Sequence, residues 1–334
     1  MRIQDRTIAA LLTMCMMNLF AGSATAGENA RGVLTCGTGQ SALSDAHLAG
    51  AEAAKLAQAA LGHGKPKLVV VFAARRLVGS ELAAGVAEVF DRGLIYGGEG
   101  YSPLSEAGNF PDQGHTITNG VAVLALGGDV YVQAVAEAVR QENGRADFAG
   151  CGRRIGEALK VATDRPAPGK LIFTFGNQHV GDNQPFVEGL LKALGTPVPV
   201  VGAATGGGNA REIVQGAVTN GVNVAVLLHG NFKLGVGLSS GGADLVANTE
   251  KALIAACAAC PGKPALALVF DCGGRRGDLV QQKKIADEFA VMKKIVPDSP
   301  IFGFYGGGEI GTTNVAAPSR GVGYHVAAAA LFAE

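Results

Sequence analysis

Two arginine pairs stand where chemistry could begin. Arg75-Arg76 follows the apolar run from Lys67 to Phe72, and Arg275-Arg276 follows the run from Ala265 to Phe270. A guanidinium is a planar fork of donors that matches a carboxylate or a phosphate. Downstream of each pair lies a tyrosine, a glycine run and a glutamate: Tyr96-Gly97-Gly98-Glu99 and Tyr305-Gly306-Gly307-Gly308-Glu309. Glycines let backbone N–H groups come close to a bound group, and a glutamate beside them can meet an ammonium. In this reading Arg75, Arg76, Arg275 and Arg276 hold a ligand carboxylate. Glu99 and Glu309 face an amine, and Gly306, Gly307 and Gly308 supply backbone donors. The set suits a zwitterion such as an amino acid. The competing reading leaves the arginines solvated and makes the glycines bulges or sites of close packing. His179 sits in the polar stretch Gly176 to Gln184, after the second unit's first strand, where it would face the same cleft.

A second chemistry is open at Cys272, which follows a strand and stands four residues before Arg276. A nearby cation lowers a thiol pKa and favours the nucleophilic thiolate. This would make the protein a hydrolase or transferase using Cys272 or a carboxylate of the same cleft, given a positioned histidine and an orienting group. Other motifs carry less. Gly206-Gly207-Gly208 lacks the text of a phosphate-binding P-loop, and no GxGxxG opens a helix. No GxSxG elbow is present. The six histidines, at 47, 63, 115, 179, 229 and 325, form neither HExxH nor an i, i+4 pair. Cys257 and Cys260 form a CxxC that closes a helical run before Pro261-Gly262, which suggests a local disulfide or a reduced pair at a helix end. No cofactor and no metal are expected.

The elements that must position these residues repeat. Three segments share an order of strand, helix, glycine-rich strand and apolar strand. The first runs through Lys67 to Phe72, Ser80 to Phe90, Leu94 to Gly100 and Thr118 to Leu126, with a helix from Ser44 to Leu61 before it. The second runs through Lys170 to Phe175, Phe186 to Leu194, Pro199 to Gly208 and Thr219 to Leu228. The third runs through Ala265 to Phe270, Asp278 to Ile295, Phe302 to Gly311 and Arg320 to Phe332. Gly-Val pairs at Gly120, Gly221 and Gly321 set a period of about 100 residues. Short continuous apolar runs such as LVVVF and ALALVF read as strands covered on both faces. Strands alternating with helices give an α/β class. The expectation is mixed β-sheets flanked by helices, built from about three related units.

Composition narrows the rest. Of 334 residues, 50 are glycine, and Lys plus Arg equals Asp plus Glu at 28 each. An apolar fraction of 48% with no net charge excludes a disordered chain. The absence of a basic excess argues against nucleic acid as a partner. Arg2 and Arg6, the apolar run Ile8 to Phe20 and Ala24-Thr25-Ala26 read as a signal peptide over residues 1–26. The apolar run is too short to span a bilayer, so no stable membrane span is expected after cleavage. The expected location is periplasmic or secreted, where five remaining cysteines would meet oxidising conditions.

The segment Pro300 to Gly311, with Gly308-Glu309-Ile310-Gly311 before an apolar strand, resembles the C-terminal half of FIST domains. Val69 to Ala74, Val200 to Gly208 and Gly221 to Leu228 resemble the N-terminal half. The resemblance implies a FIST N-like region over 27–240 and a FIST C-like region over 241–334. It implies a sensory or solute-binding protein for a small ligand such as an amino acid or other small carboxylate, with an unknown signalling partner. The Gly-Trp stretch usual between the halves is replaced by Phe232 to Gly242, and the chain has no tryptophan.

Overall fold

The computed structural model describes residues 33–105, 119–161, 169–206, 210–239 and 242–334. The expected signal peptide, His115 and most of the Gly206–Gly208 turn lie outside these residues.

The first unit contains β1 (Leu34–Ser41), α1 (Ala46–Leu61), β2 (Pro66–Ala74), α2 (Ser80–Ala87), β3 (Ile95–Gly100), β4 (Ser102–Ser105) and β5 (Val121–Gly128). The second contains β6 (Val130–Ala138), the small hairpin β7 (Arg140–Glu142) and β8 (Arg145–Asp147), α3 (Phe148–Val161), β9 (Gly169–Gly176) and α4 (Asn183–Leu194). It continues with β10 (Val200–Ala204), β11 (Arg211–Val214), β12 (Ala217–Asn220) and β13 (Val222–Gly230). The third contains β14 (Phe232–Leu238), α5 (Leu245–Cys257), β15 (Leu266–Cys272), α6 (Gly273–Gln281), α7 (Ile285–Ile295), β16 (Ile301–Gly306), β17 (Glu309–Gly311), β18 (Arg320–Val322) and β19 (Val326–Ala333).

Each unit builds a four-stranded mixed sheet of one design. The orders are β1-β5-β2-β3, β6-β13-β9-β10 and β14-β19-β15-β16. In each, the last two strands pair parallel, while the other pairings are antiparallel. The next unit then completes each sheet. β11 and β12 of the second unit extend β3, β17 and β18 of the third extend β10, and β4 of the first extends β16. The exchange closes on itself, so the units are related by a pseudo-threefold arrangement. The mixed, helix-flanked α/β class expected from sequence is the class observed.

The inner faces of the three sheets share one apolar core. Leu68, Val70 and Phe72 meet Leu171, Phe173 and Phe175, and Leu266, Leu268 and Phe270. Phe72 lies at the centre, with ring centroids 5.2 Å from Phe175, 5.3 Å from Phe302 and 4.3 Å from Phe304. Aromatic pairs at such spacings add about 0.5–1.5 kcal/mol each beyond the area they bury. The outer faces pack under the helices of their own units. The glycine excess serves this packing. A Cβ at Gly39 of β1 would lie 2.6 Å from the Ala57 amide of α1, so glycine lets a helix backbone lie directly on the strand.

Two expectations need correction. Asp278 to Ile295 is two helices, because the chain turns at Lys283, whose φ of 56° is left-handed and ends α6. The third Gly-Val pair also differs from the first two. Val121 and Val222 open β5 and β13, whereas Val322 ends β18 and the equivalent strand β19 opens at Val326. The Gly-Val pair therefore marks equivalent places only in the first two units.

Candidate functional site

Strand register gives the true correspondences. Phe72 pairs with Ala122 and Gly98, Phe175 with Val224 and Ala203, and Phe270 with Ala327 and Phe304. These three phenylalanines are equivalent. One step outward, Ala73, Gly176 and Asp271 pair with Glu99, Ala204 and Tyr305. Glu99 thus matches Tyr305 rather than Glu309. The residues opposite Gly98 and Ala203 on the exchanged strands are Glu212 and Glu309. Glu309 has its counterpart in Glu212, which the sequence reading did not single out.

The three strand ends converge on one rim. Gly307 N–H donates to the Ala204 carbonyl at 2.8 Å, and Ala204 N–H to the Gly308 carbonyl at 2.8 Å. Tyr101 N–H donates to the Tyr305 carbonyl at 2.9 Å. On this rim Arg75 and Glu99 meet each other, and Arg211 joins them. The Glu99 carboxylate is buried, with Arg75 Nε and Arg211 Nε each 3.4 Å from one of its oxygens. The Arg75 side chain is 59% exposed and that of Arg211 34%. Arg211 also donates to the Arg75 carbonyl. Glu212 lies behind this group and accepts from the Thr205 hydroxyl at 2.9 Å. Burial, with a contribution from Glu99, pushes its carboxyl up to about 8, so Glu212 is largely neutral at pH 7.

Arg76 points elsewhere, donating from Nε to Asn119 Oδ1 at 2.9 Å and from its terminal nitrogen to the Ser44 carbonyl at 3.1 Å. His179 is exposed and stands beside the glycine turn, where a Cβ at Gly307 would come 2.9 Å from its ring. Asn183, four residues on, donates to the Glu309 carbonyl at 3.4 Å.

Arg275 and Arg276 are fully buried. Arg275 meets the protein's own carboxylates: Asp271 at 2.7 Å and Glu288 at 3.0 Å. It also donates to Thr249 Oγ1 at 2.8 Å and to the Leu245 carbonyl at 3.1 Å. The Tyr305 hydroxyl donates to Glu288 at 2.7 Å. Burial works against the Arg275 charge, but Asp271 and Glu288 outweigh it. Arg276 lies over the Tyr305 ring at 5.9 Å. The role of Arg275 and Arg276 as ligand holders is therefore replaced by an internal one. They anchor α6 to its sheet, because an unpaired guanidinium is too costly to bury.

Glu309 is likewise buried. One oxygen accepts the His325 N–H at 2.9 Å, and the carboxyl also engages the Cys272 thiol. Burial drives its carboxyl well above the ordinary carboxylate range. Burial and Glu309 push Cys272 up to about 11, so the resting thiol is protonated. His325 approaches through its backbone, and its ring Nδ1 contacts the Gly323 carbonyl at 2.7 Å. No disulfide forms among the described residues, and Cys257 and Cys260 are a reduced pair at the end of α5.

Two described grooves, of about 450 and 660 Å³, lie away from the rim. The first runs along Gly195–Pro199 and Val315–Ser319, and the second between α3 and α4. Their chemistry is mixed and unfocused, and the convergence of charged groups on the rim is the better guide. No group of three or more potential metal ligands occurs among the described residues. No helix among them is long and apolar enough to cross a membrane.

Against known proteins, the chain matches the FIST N domain over residues 67–244 and the FIST C domain over residues 219–312. No curated protein matches it. Among solved structures it is similar to the crystal structure of cyanuric acid hydrolase from A. caulinodans. That match has 12% identity and a TM-score of 0.46, covering 89% of this chain and 99% of the other. On the two domain matches, which together cover residues 67–312, this chain belongs to the FIST domain family.

Proposed function

We propose that this is an exported sensory or solute-binding protein whose rim takes a small carboxylate, an amino acid included. FIST domains are associated with sensory signal transduction and small-ligand binding, which supports the class. The observation that carries the site is the pair of partly exposed guanidiniums, Arg75 and Arg211, held in place by the one buried carboxylate of Glu99. Glu99 fixes the arginines in advance, so less side-chain entropy is lost when a ligand arrives. A charge-assisted hydrogen bond contributes about 1.5–3 kcal/mol. The glycine turn Gly306–Gly308 and His179 lie farther along the same rim and could meet the rest of the ligand. Export rests on the signal-like residues 1–26, and an N-terminus at Gly27 in the secreted protein would support it. Retention of Met1 would contradict it.

The test is a thermal-shift screen with glycine, glutamate, acetate and succinate, using butylamine as a control. A carboxylate at 100 times its dissociation constant adds about 2.7 kcal/mol. The expected result is a rise in Tm of several degrees with one or more carboxylates and none with butylamine. No response to any carboxylate would contradict the proposal.

A further inference from the structure

β6 is a sheet edge that its own chain leaves open. It is the last strand of the six-stranded sheet β18-β17-β10-β9-β13-β6, and among the described residues it pairs with β13 alone. The register runs unbroken from Val130 to Ala138, and the Val139 N–H donates to the Gly221 carbonyl at 2.8 Å. Bonding alternates along an antiparallel pair, so the odd-numbered residues bond to β13 and the even-numbered ones turn their N–H and C=O outward. At both ends the outward carbonyls are taken. Lys67 Nζ donates to the Val130 carbonyl at 2.9 Å, and Arg154 donates to the Ala138 carbonyl at 2.9 Å. Between them, the N–H and C=O groups of Val132, Ala134 and Ala136 meet no partner among the described residues. The equivalent edges of the other units are better covered. β1 and β14 are mostly buried, whereas every residue from Tyr131 to Ala138 is half-buried or exposed. Lysine, proline or a bulge commonly blunts such an edge, and β6 has none of the three.

We propose that β6 pairs with β6 of a second copy of this chain, antiparallel about a two-fold axis through Ala134, so that two six-stranded sheets join into one. The register follows from the open groups, which are symmetric about Ala134. Val132 of one copy faces Ala136 of the other, and Ala134 faces Ala134. Each of these three facing pairs exchanges two hydrogen bonds, and every open N–H and C=O of both copies is used. A register centred one residue later sets Val132 against Ala138, whose carbonyl Arg154 already occupies. The side chains agree with the central register. It sets Glu137 opposite Tyr131 of the second copy. Lys67 Nζ lies 5.2 Å from the centre of the Tyr131 ring and has no carboxylate partner among the described residues. Glu137 is 30% exposed beside its own Arg154, so it can also meet that lysine. The two-fold makes this contact twice. An unrelated extended segment would satisfy the backbone of β6 but would not supply the reciprocal pair of Glu137 and Lys67, which is why a second copy is the occupant.

Sedimentation velocity of the purified protein tests this. One strand from each side makes an interface at the small, weak end of the specific range, so the native chain is expected to pass from monomer to dimer between about 1 and about 100 μM. Ala134→Pro removes an outward N–H that its own chain does not use, and edge strands tolerate proline at such a position. It is expected to weaken the dimer at least about tenfold, with the circular dichroism of the dilute monomer unchanged. Glu137→Lys and Lys67→Glu each set like charges across the axis and are each expected to weaken the dimer about tenfold. The double variant restores opposite charges and is expected to recover most of the native affinity. A chain that stays monomeric at about 100 μM, whether or not it takes up an added extended peptide, would overturn the proposal. So would a dimer that Ala134→Pro leaves unchanged, or a double variant no tighter than the single ones.

Discussion

Replacing Arg275 with methionine is expected to cost about 3–5 kcal/mol, the loss typical when one partner of a buried ion pair is removed. The substitution keeps most of the side-chain volume but leaves Asp271 facing a low-dielectric interior without its cation. It also removes the donors to Thr249 and the Leu245 carbonyl. Glu288→Gln makes the contrast. Burial and the nearby Asp271 push Glu288 up against the pull of Arg275, so its charge is the less firmly held of the two carboxylates. The amide oxygen can still accept from the Tyr305 hydroxyl, and this variant should lose no more than about 1.5 kcal/mol, one hydrogen bond. Urea denaturation of the two variants beside the native chain reads the difference. Equal losses would mean that Arg275 matters as packing rather than as charge.

The second large effect is on pH dependence. Burial pushes the Glu212 carboxyl up to about 8 in the folded chain, from the ordinary carboxylate value of 4.5 that it has when unfolded. Between those values the folded state keeps a proton that the unfolded state has released. Stability is therefore greatest below the unfolded pKa and falls as pH rises toward 8. Each pH unit in the window is worth about 1.4 kcal/mol, so the total from this group is on the order of 3–5 kcal/mol. Glu309 is shifted in the same direction and adds to the slope. Glu212→Gln should flatten the decline, leaving the variant more stable than the native chain at pH 8 and close to it at pH 5. Chemical denaturation at pH 5, 6, 7 and 8 measures this. A native chain equally stable across the range, or an unchanged slope in the variant, would contradict the assignment of Glu212 as a buried neutral acid.

Much of this arrangement was legible from the chain itself. The runs ending at Phe72, Phe175 and Phe270 marked the three central strands, because strands covered on both faces need unbroken apolar text. That Arg75 and Glu99 lie at one strand end follows from the order of strand and next parallel strand, but their ion pair with each other does not. The exchanged strands β4, β11 and β17 were not legible. They are three or four residues long, and their pairing partners lie in another unit. That exchange decides the site. It brings Arg211 to Glu99, and it places Glu212 and Glu309 at equivalent positions. The matching text around Tyr96 and Tyr305 pointed to Glu99 and Glu309 instead, because text similarity ignores register, and a shift of one residue turns a side chain to the other face. Arg275 and Arg276 looked like a repeat of Arg75 and Arg76. What separated them was Asp271 at i−4 and Glu288 across the helix pair, partners that only the packed structure reveals.

Binding at the rim is tested most directly by Arg75→Gln. Its guanidinium is 59% exposed, and the buried Glu99 keeps Arg211 as a partner, so the substitution should change stability by less than about 1 kcal/mol. Thermal-shift titrations with glutamate and succinate would be run on the native chain and the variant together. The expected outcome is a carboxylate-dependent rise in Tm for the native chain that requires at least tenfold more ligand in Arg75→Gln, with the two proteins melting together when no ligand is present. A native chain and variant that respond to the same carboxylate with the same midpoint would place the binding site away from Arg75, Glu99 and Arg211.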